Sequence, residues 1–260
     1  MEIIIQPDAT AATRLAAQLI SAAIRNKPDL VLGLATGRTM EGVYTLLAAM
    51  HKKEGLDFSR VTTFNLDEYI GLPADSPYSY HYYMHTRLFS RVNINLANTH
   101  IPDGTAPDID EECRRYERQI KSCGGIDLQL LGLGQAGHIG FNEPLSALLS
   151  RTRAKALTPL TLEQNRPLFK GAPMPTRAIT VGIGTILESR RCLMLVTGRD
   201  KAVVLAKALE GPITSMISAS ALQLHPHCTV IVDEEAAANL QEREYYRWIF
   251  STEPEWEPYR

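Results

Sequence analysis

A histidine and a glutamate stand five residues apart in a glycine-rich stretch, Leu131-Gly132-Leu133-Gly134-Gln135-Ala136-Gly137-His138-Ile139-Gly140-Phe141-Asn142-Glu143-Pro144. An imidazole beside a carboxylate can form a titrating pair in which the acid orients the ring. The apolar run Ile126 to Leu133 leads into this turn and reads as a buried strand. Tight glycine turns at strand tips are where open α/β sheets bind ligands. A second acidic group, Asn65-Leu66-Asp67-Glu68-Tyr69, follows another strand-like run. Together they point to acid/base chemistry on a small polar substrate. A solvated turn or a helix N-cap is the plainer account of Asp67, and a satisfied core histidine is the plainer account of His138.

Two further turns suit an anion. Ala35-Thr36-Gly37-Arg38-Thr39 separates an apolar strand from a helical pattern. Backbone N–H groups at a helix start, with Thr hydroxyls, can hold a phosphate. An ordinary strand-to-helix turn with Thr39 as N-cap would look the same. The Gly-Lys-Ser/Thr ending of a Walker A loop is absent. Lys201 follows Gly198-Arg199-Asp200 at another helix start, where it could meet a phosphate or simply face solvent. Gly132-x-Gly134-x-x-Gly137 matches a dinucleotide fingerprint in letters. That fingerprint needs a helix opening at the third glycine and an acid about 20 positions on. Gly140 and Pro144 oppose the helix, and the region around Leu157 carries no acid. Nicotinamide and flavin are therefore not expected.

These turns need elements to hold them. Strands are predicted at Ile3 to Ile5, Leu30 to Leu34, Val61 to Leu66, Ile126 to Leu133, Ala178 to Val181, Cys192 to Val196 and Thr229 to Val232. Between them lie helical patterns from Asp8, an N-cap, to Arg25, then Met40 to Lys52, Tyr80 to Phe89, Asp108 to Lys121, Lys201 to Leu209 and Glu234 to Trp248. Strands apolar on both faces, alternating with helices, predict a doubly wound, mostly parallel sheet covered on each side, a Rossmann-like three-layer α/β sandwich. With no linker or repeat, residues 1–260 read as a single domain. The least regular stretch, about 142–176, reads as a lid or as a subunit contact in a homo-oligomer.

Composition narrows the partners. A net charge of -2 argues against nucleic acid and anionic membranes. Cys113, Cys123, Cys192 and Cys228 have no C-x-x-C spacing, so no zinc site or other metal site is expected. Scattered thiols, no apolar run near the ~20 residues of a bilayer span and no leader-like start fit a cytoplasmic protein.

Taken together, the motifs resemble those of glucosamine-6-phosphate deaminases. The matching pieces are Thr36-Gly37-x-Thr39, Phe64-Asn65-Leu66-Asp67-Glu68-Tyr69, Gly137-His138-Ile139-Gly140-Phe141-Asn142-Glu143-Pro144, Ser150-Arg151-Thr152-Arg153, Thr180-Val181-Gly182-Ile183-Gly184-Thr185 and Leu222-Gln223-Leu224-His225-Pro226. They fall in the family's order over most of the chain. Related 6-phosphogluconolactonases carry a turn closer to G-x-D-G-H-T-A-S-L-F-P instead. The resemblance implies the doubly wound fold and conversion of glucosamine 6-phosphate and water to fructose 6-phosphate and ammonia, without a cofactor. It implies that Asp67 moves a proton between C2 and C1, that His138 assists ring opening, and that Glu143 is its carboxylate partner. Thr36, Gly37, Arg38, Thr39 and Lys201 fall on phosphate-binding positions, and Arg166 lies one position from the family's lid arginine. Ser146, Arg153 and Lys155 match an allosteric site for N-acetylglucosamine 6-phosphate that some members have, with Ala156 in place of its threonine. The chain departs from the family at Arg38, usually small, at Met40, usually proline, and at Ala136, often aspartate or asparagine. Two other readings remain: a sugar-phosphate lactonase, and a weakly catalytic sugar-phosphate sensor.

Overall fold

A computed structural model describes residues 1–260. Seven parallel strands form its central sheet: β1 (Glu2–Gln6), β2 (Val31–Leu34), β3 (Thr62–Asn65), β5 (Thr99–His100), β6 (Leu128–Leu131), β9 (Cys192–Val196) and β10 (Cys228–Asp233). Their order is β1-β10-β9-β6-β2-β3-β5. From β2 the chain builds outward through β3 and β5, then returns to lay β6 on the other side of β2. The boundary between β2 and β6 is therefore the topological switch point, where crossovers diverge and leave a crevice beyond the strand ends. The phosphate-type turn leaves β2 and the Gly-His turn leaves β6, so both motifs flank that crevice.

The helices are α1 (Ala9–Asn26), α2 (Arg38–Glu54), α3 (Tyr80–Arg87), α4 (Ile109–Ser122), α5 (Pro159–Asn165), α6 (Ile183–Leu187), α7 (Ala202–Leu209) and α8 (Arg243–Thr252). Local chemistry sets several starts. Asp8 accepts from Ala11 N at 2.8 Å, and Asp108 accepts from Glu111 N at 2.9 Å. Each satisfies one of the orphan amides of a helix's first turn. Ile4, Leu32, Leu130, Leu193 and Val230 are buried in the sheet and join one continuous apolar core with Ile20, Val43, Tyr116 and Leu205.

Four expectations need correction. The strand expected over Val61 to Leu66 is present as β3, but no turn follows it: Asp67, Glu68 and Tyr69 form a separate strand, β4 (Asp67–Tyr69). It pairs antiparallel with β8 (Arg177–Thr180), which pairs antiparallel with β7 (Arg153–Ala156). Residues 142–176 thus contain β7 and α5 and contribute to a small three-stranded sheet, and are more regular than their sequence suggests. Thr39 is not an N-cap. Gly37, at φ 115°, precedes the helix, and α2 starts at Arg38. Finally, Glu234 to Trp248 is broken into a 3-10 turn, Ala236–Asn239, and α8. The Glu210 carboxylate accepts from Gln241 N and Glu242 N at 2.8–3.1 Å and diverts those amides from a continuous helical ladder.

Candidate active site

Asp67 opens β4, opposite Thr180 of β8. It is 6 % exposed. Burial, and then the neighbouring Glu68 charge, push its carboxyl up to about 8, and no cation offsets them. A carboxylate so desolvated is a strong base for its type. It is not the solvated turn residue that its sequence equally allowed.

The Gly-His turn reaches Asp67 through Gly140. At φ 55°, Gly140 lies so close that a Cβ there would come 2.9 Å from Thr180 Oγ1 and 3.4 Å from Asp67 Oδ2. Thr180 Oγ1 also accepts from Phe141 N at 3.0 Å, fastening the turn to β8. Asn142 donates to Ile139 O and Val181 O, each at 2.9 Å. The T-V-G-I-G-T string therefore supplies the wall on which the turn is built.

His138 and Glu143 face each other as the spacing suggested. Nδ1 lies 3.3 Å from Glu143 Oε2. That is an ion-pair distance without hydrogen-bond alignment, and neither atom has another partner within the chain. The imidazole crosses Gly134, where a Cβ would lie 2.1 Å from Nε2. Only glycine admits the ring there. Glu143 is 1 % exposed, and burial alone would push its carboxyl up. The His138 contact, Thr161 and the Thr158 N–H outweigh burial and hold it below the usual carboxylate range. Thr158 N donates to Glu143 Oε1 at 3.1 Å. The acid that faces His138 is thereby also tied to the start of α5.

The anion-type residues are more dispersed. Gly37 and Arg38 are exposed, and Thr36 and Thr39 are partly buried. Tyr83 Oη donates to Gly37 O at 2.8 Å, which fixes the turn from α3. With α2 starting at Arg38, its first amides point out of the helix toward the strand-end crevice. Lys201 ends the 3-10 turn Arg199–Lys201 beyond β9 and is 19 % exposed at its side chain. Burial lowers its proton affinity, and Asp200, 3.9 Å away, offsets this in part. Since β9, β6 and β2 are successive neighbours, Lys201 and the Gly37 turn flank the two sides of the Gly-His turn.

Arg166 does not join them. It is exposed, in the 3-10 turn Arg166–Phe169, and lines a cavity of about 260 Å³ with Leu162, Gly171, Ala172, Met174 and Thr176. A hollow of about 840 Å³ lies between α4 and the Arg151–Glu188 side and contains no residue of the Asp67–His138 site. Arg153 and Lys155 share a face of β7. Arg153 Nη1 donates to Asn142 Oδ1 at 2.9 Å, while its Nη2 and the buried Ser146 Oγ have no partner.

Some site residues were not foreseen. Tyr69 Oη takes a hydrogen bond from Asn165 Nδ2 of α5 at 3.2 Å and contacts Tyr80 Oη at 3.4 Å. Gln164 of the same helix donates to Gln135 Oε1 in the Gly-His turn at 2.6 Å. His81 meets Glu68 at 2.9 Å. Each joins residues far apart in sequence, and the tyrosine cluster Tyr78, Tyr80, Tyr82 and Tyr83 was the one signal available for any of them.

Comparison with known proteins follows the same lines. Residues 7–231 match the family described as glucosamine-6-phosphate isomerases/6-phosphogluconolactonase. A glucosamine-6-phosphate deaminase of Shewanella loihica is 48 % identical over 250 residues, covering 96 % of this chain and 93 % of the relative. One from Arthrobacter sp. is 47 % identical over 258 residues, covering 99 % of each. Among solved structures, a monomeric glucosamine-6-phosphate deaminase superposes with a TM-score of 0.90 at 44 % identity, over 92 % of this chain and 100 % of that one. The 6-phosphogluconolactonase of Trypanosoma cruzi superposes with a TM-score of 0.73 at 21 % identity, over 92 % and 97 %, a likeness of fold alone. The chain belongs to the glucosamine-6-phosphate isomerase/6-phosphogluconolactonase family.

Proposed function

We propose that the protein converts glucosamine 6-phosphate and water to fructose 6-phosphate and ammonia. The observation that carries this reading is a buried, unneutralised carboxylate, Asp67, brought by Gly140 against a turn that holds His138 and Glu143. A proton on carbon beside a carbonyl is weakly acidic, and a desolvated carboxylate at contact distance suits its removal. His138, oriented by Glu143, takes the proton of the anomeric hydroxyl and returns one to the ring oxygen, opening the pyranose. Asp67 then removes the proton on C2 and delivers it to C1. The amine at C2 becomes an iminium, water adds, and ammonia leaves. Hydrogens balance within the substrate, so the scheme needs no redox cofactor. Thr36, Gly37, Arg38, Thr39 and Lys201 hold the phosphate, whose remote binding energy positions the reacting carbons.

The other features fit this reading. Segment 142–176 serves as the lid of a single-domain enzyme, with Arg166 reaching the phosphate only on closure. Ser146, Arg153 and Lys155 hold N-acetylglucosamine 6-phosphate as a regulatory ligand, with Arg153 Nη2 and Ser146 Oγ as unused donors. Four free thiols and the absence of a helix long and apolar enough to cross a membrane accord with a cytoplasmic enzyme of amino-sugar breakdown. The lactonase reading is weaker, because hydrolysing a lactone requires no carbon base such as Asp67. The deciding experiment measures ammonia release from glucosamine 6-phosphate and galactosamine 6-phosphate, alongside hydrolysis of 6-phosphogluconolactone. Ammonia from the amino sugar is expected. Lactone hydrolysis with the amino sugar untouched would overturn the reading.

A further inference from the structure

Glu68 sits between Asp67 and Tyr69 on β4 and is fully buried. Its Oε1 accepts from Tyr69 N at 2.8 Å and Tyr80 N at 3.0 Å. Its Oε2 accepts from His81 N at 3.0 Å and meets His81 Nδ1 at 2.9 Å. A buried carboxylate is costly unless it is paired and hydrogen-bonded. Here one amide of β4, the open end of α3 and one imidazole supply its partners. Ser79 separately caps the same helix by accepting from Tyr82 N at 3.0 Å. Glu68 is thus more than a cap: it ties the strand that carries Asp67 to the first turn of α3.

Successive strand residues project to opposite faces, so Glu68 does not share the cavity of Asp67. It acts on Asp67 through backbone placement and charge. Like charges on neighbouring residues raise proton affinity, and Glu68 has this effect on Asp67. Around Asp67 stand the hydroxyls of Tyr44 from α2, Tyr80 from α3, Tyr69 from β4 and Tyr116 from α4, all pushed above the ordinary tyrosine range by burial. Beyond His81 lies Asp103, whose acidity is strengthened by Thr105 and then, more weakly, by His81 and Arg115. Glu112 accepts from Asp103 N and is paired with Arg115. His81 itself is 32 % exposed at its side chain and opens to solvent.

We propose that Glu68 and His81 are a positioning dyad for Asp67, with Glu68 fixing the base and setting the charge beside it, and His81 holding Glu68 in place. The proposal rests on the reading of Asp67 as the carbon base. The Glu68 charge makes Asp67 hold its proton more tightly, and a cation that cancels part of that charge leaves Asp67 ionised to lower pH.

The test uses ammonia release from glucosamine 6-phosphate, with kcat/KM followed against pH. His81→Gln can still donate to Glu68 and carries no charge, so the acidic limb stays in place. His81→Lys places a permanent cation at the same partly exposed position, so the limb moves down. A downward displacement on the order of 0.5–1 pH unit is expected for charges a few ångströms apart at a partly screened site. Glu68→Gln moves the limb down and lowers kcat, provided that the variant folds. The two His81 variants carry the test if it does not. A purely structural role would lower activity without displacing the limb. An unmoved limb in His81→Lys, or a displaced limb in His81→Gln, overturns the dyad. Absence of ammonia release by the unmodified protein would instead overturn the assignment of function, before any variant is made.

Discussion

At the residue scale, the proposed chemistry turns on one carboxylate. Asp67→Asn keeps the shape but removes the base, so kcat should fall about 10²-fold or more while fructose 6-phosphate binding changes little. Kinetics and product titration on the same variant check both halves, and near-normal turnover would exclude Asp67. Its burial also has a stability consequence. With its carboxyl raised to about 8, the folded state binds the proton more tightly than the unfolded chain does. The Asp67 contribution to stability is therefore best at low pH and is lost as pH rises from the ordinary carboxylate range through about 8. Asp67→Asn should show a higher urea midpoint than the parent at pH 8.5 and little difference near pH 4, and the reverse order would contradict the burial argument. Arg38 presents a simpler alternative. As an exposed residue at the start of α2, it either meets phosphate or crowds the turn. A phosphate contact makes Arg38→Gly weaken fructose 6-phosphate binding by about 1.5–3 kcal/mol, as for a charged hydrogen bond. Unchanged binding in a titration would assign the residue to the turn alone.

At the element scale, glycines set how near the turns can come. Gly140→Ala would place a Cβ 2.9 Å from Thr180 Oγ1 in a left-handed backbone, adding about 1–2 kcal/mol of strain. Turnover should drop by at least about tenfold as the Gly-His turn withdraws from Asp67, with thermal melting checking that the fold persists. The letters G-H-I-G-F-N-E-P allowed the His138–Glu143 pairing to be read directly, because five residues in one turn leave little freedom. The D-E-Y triplet could be read only as strand-adjacent. Its membership of a second sheet depends on pairing with Arg177–Thr180, more than a hundred residues away, and periodicity over three residues carries no register. The broken helix near the C-terminal end was illegible for a similar reason. Glu210 creates the break, and no local signal at Gln241 or Glu242 announces it. Glu210→Ala should cost about 1–3 kcal/mol in urea unfolding, since it strips the acceptor from two amides and from Tyr246 Oη.

At the scale of the whole molecule, strand order does most of the positioning. Alternating apolar runs sufficed to predict a parallel, doubly wound sheet, but not that β6 returns beside β2. That return makes the switch point and gathers turns separated by about a hundred residues. Across the crevice, α5 touches the Gly-His turn through Gln164 and β4 through Asn165, and its N-cap Thr158 donates to Glu143. A ligand that settles these contacts should slow amide exchange over residues 158–165. Hydrogen exchange with and without fructose 6-phosphate measures this, and equal protection would separate α5 from the binding event.

The pairing of β1 with β10 carries a consequence for how the chain is made. Residues Ile3, Ile4 and Ile5 leave the ribosome long before Val230–Val232, their only partner in the sheet. Until that partner emerges, a three-isoleucine strand has no edge on which to lie. Non-local pairing of this kind delays folding, and an unpartnered apolar strand is a point of aggregation. Nascent chains halted before Cys228 should therefore keep Glu2–Gln6 open to protease and to chaperones, whereas chains released past Asp233 should bury that strand. Timing, as much as stability, then governs yield: slowing translation cannot help this strand until its partner has emerged.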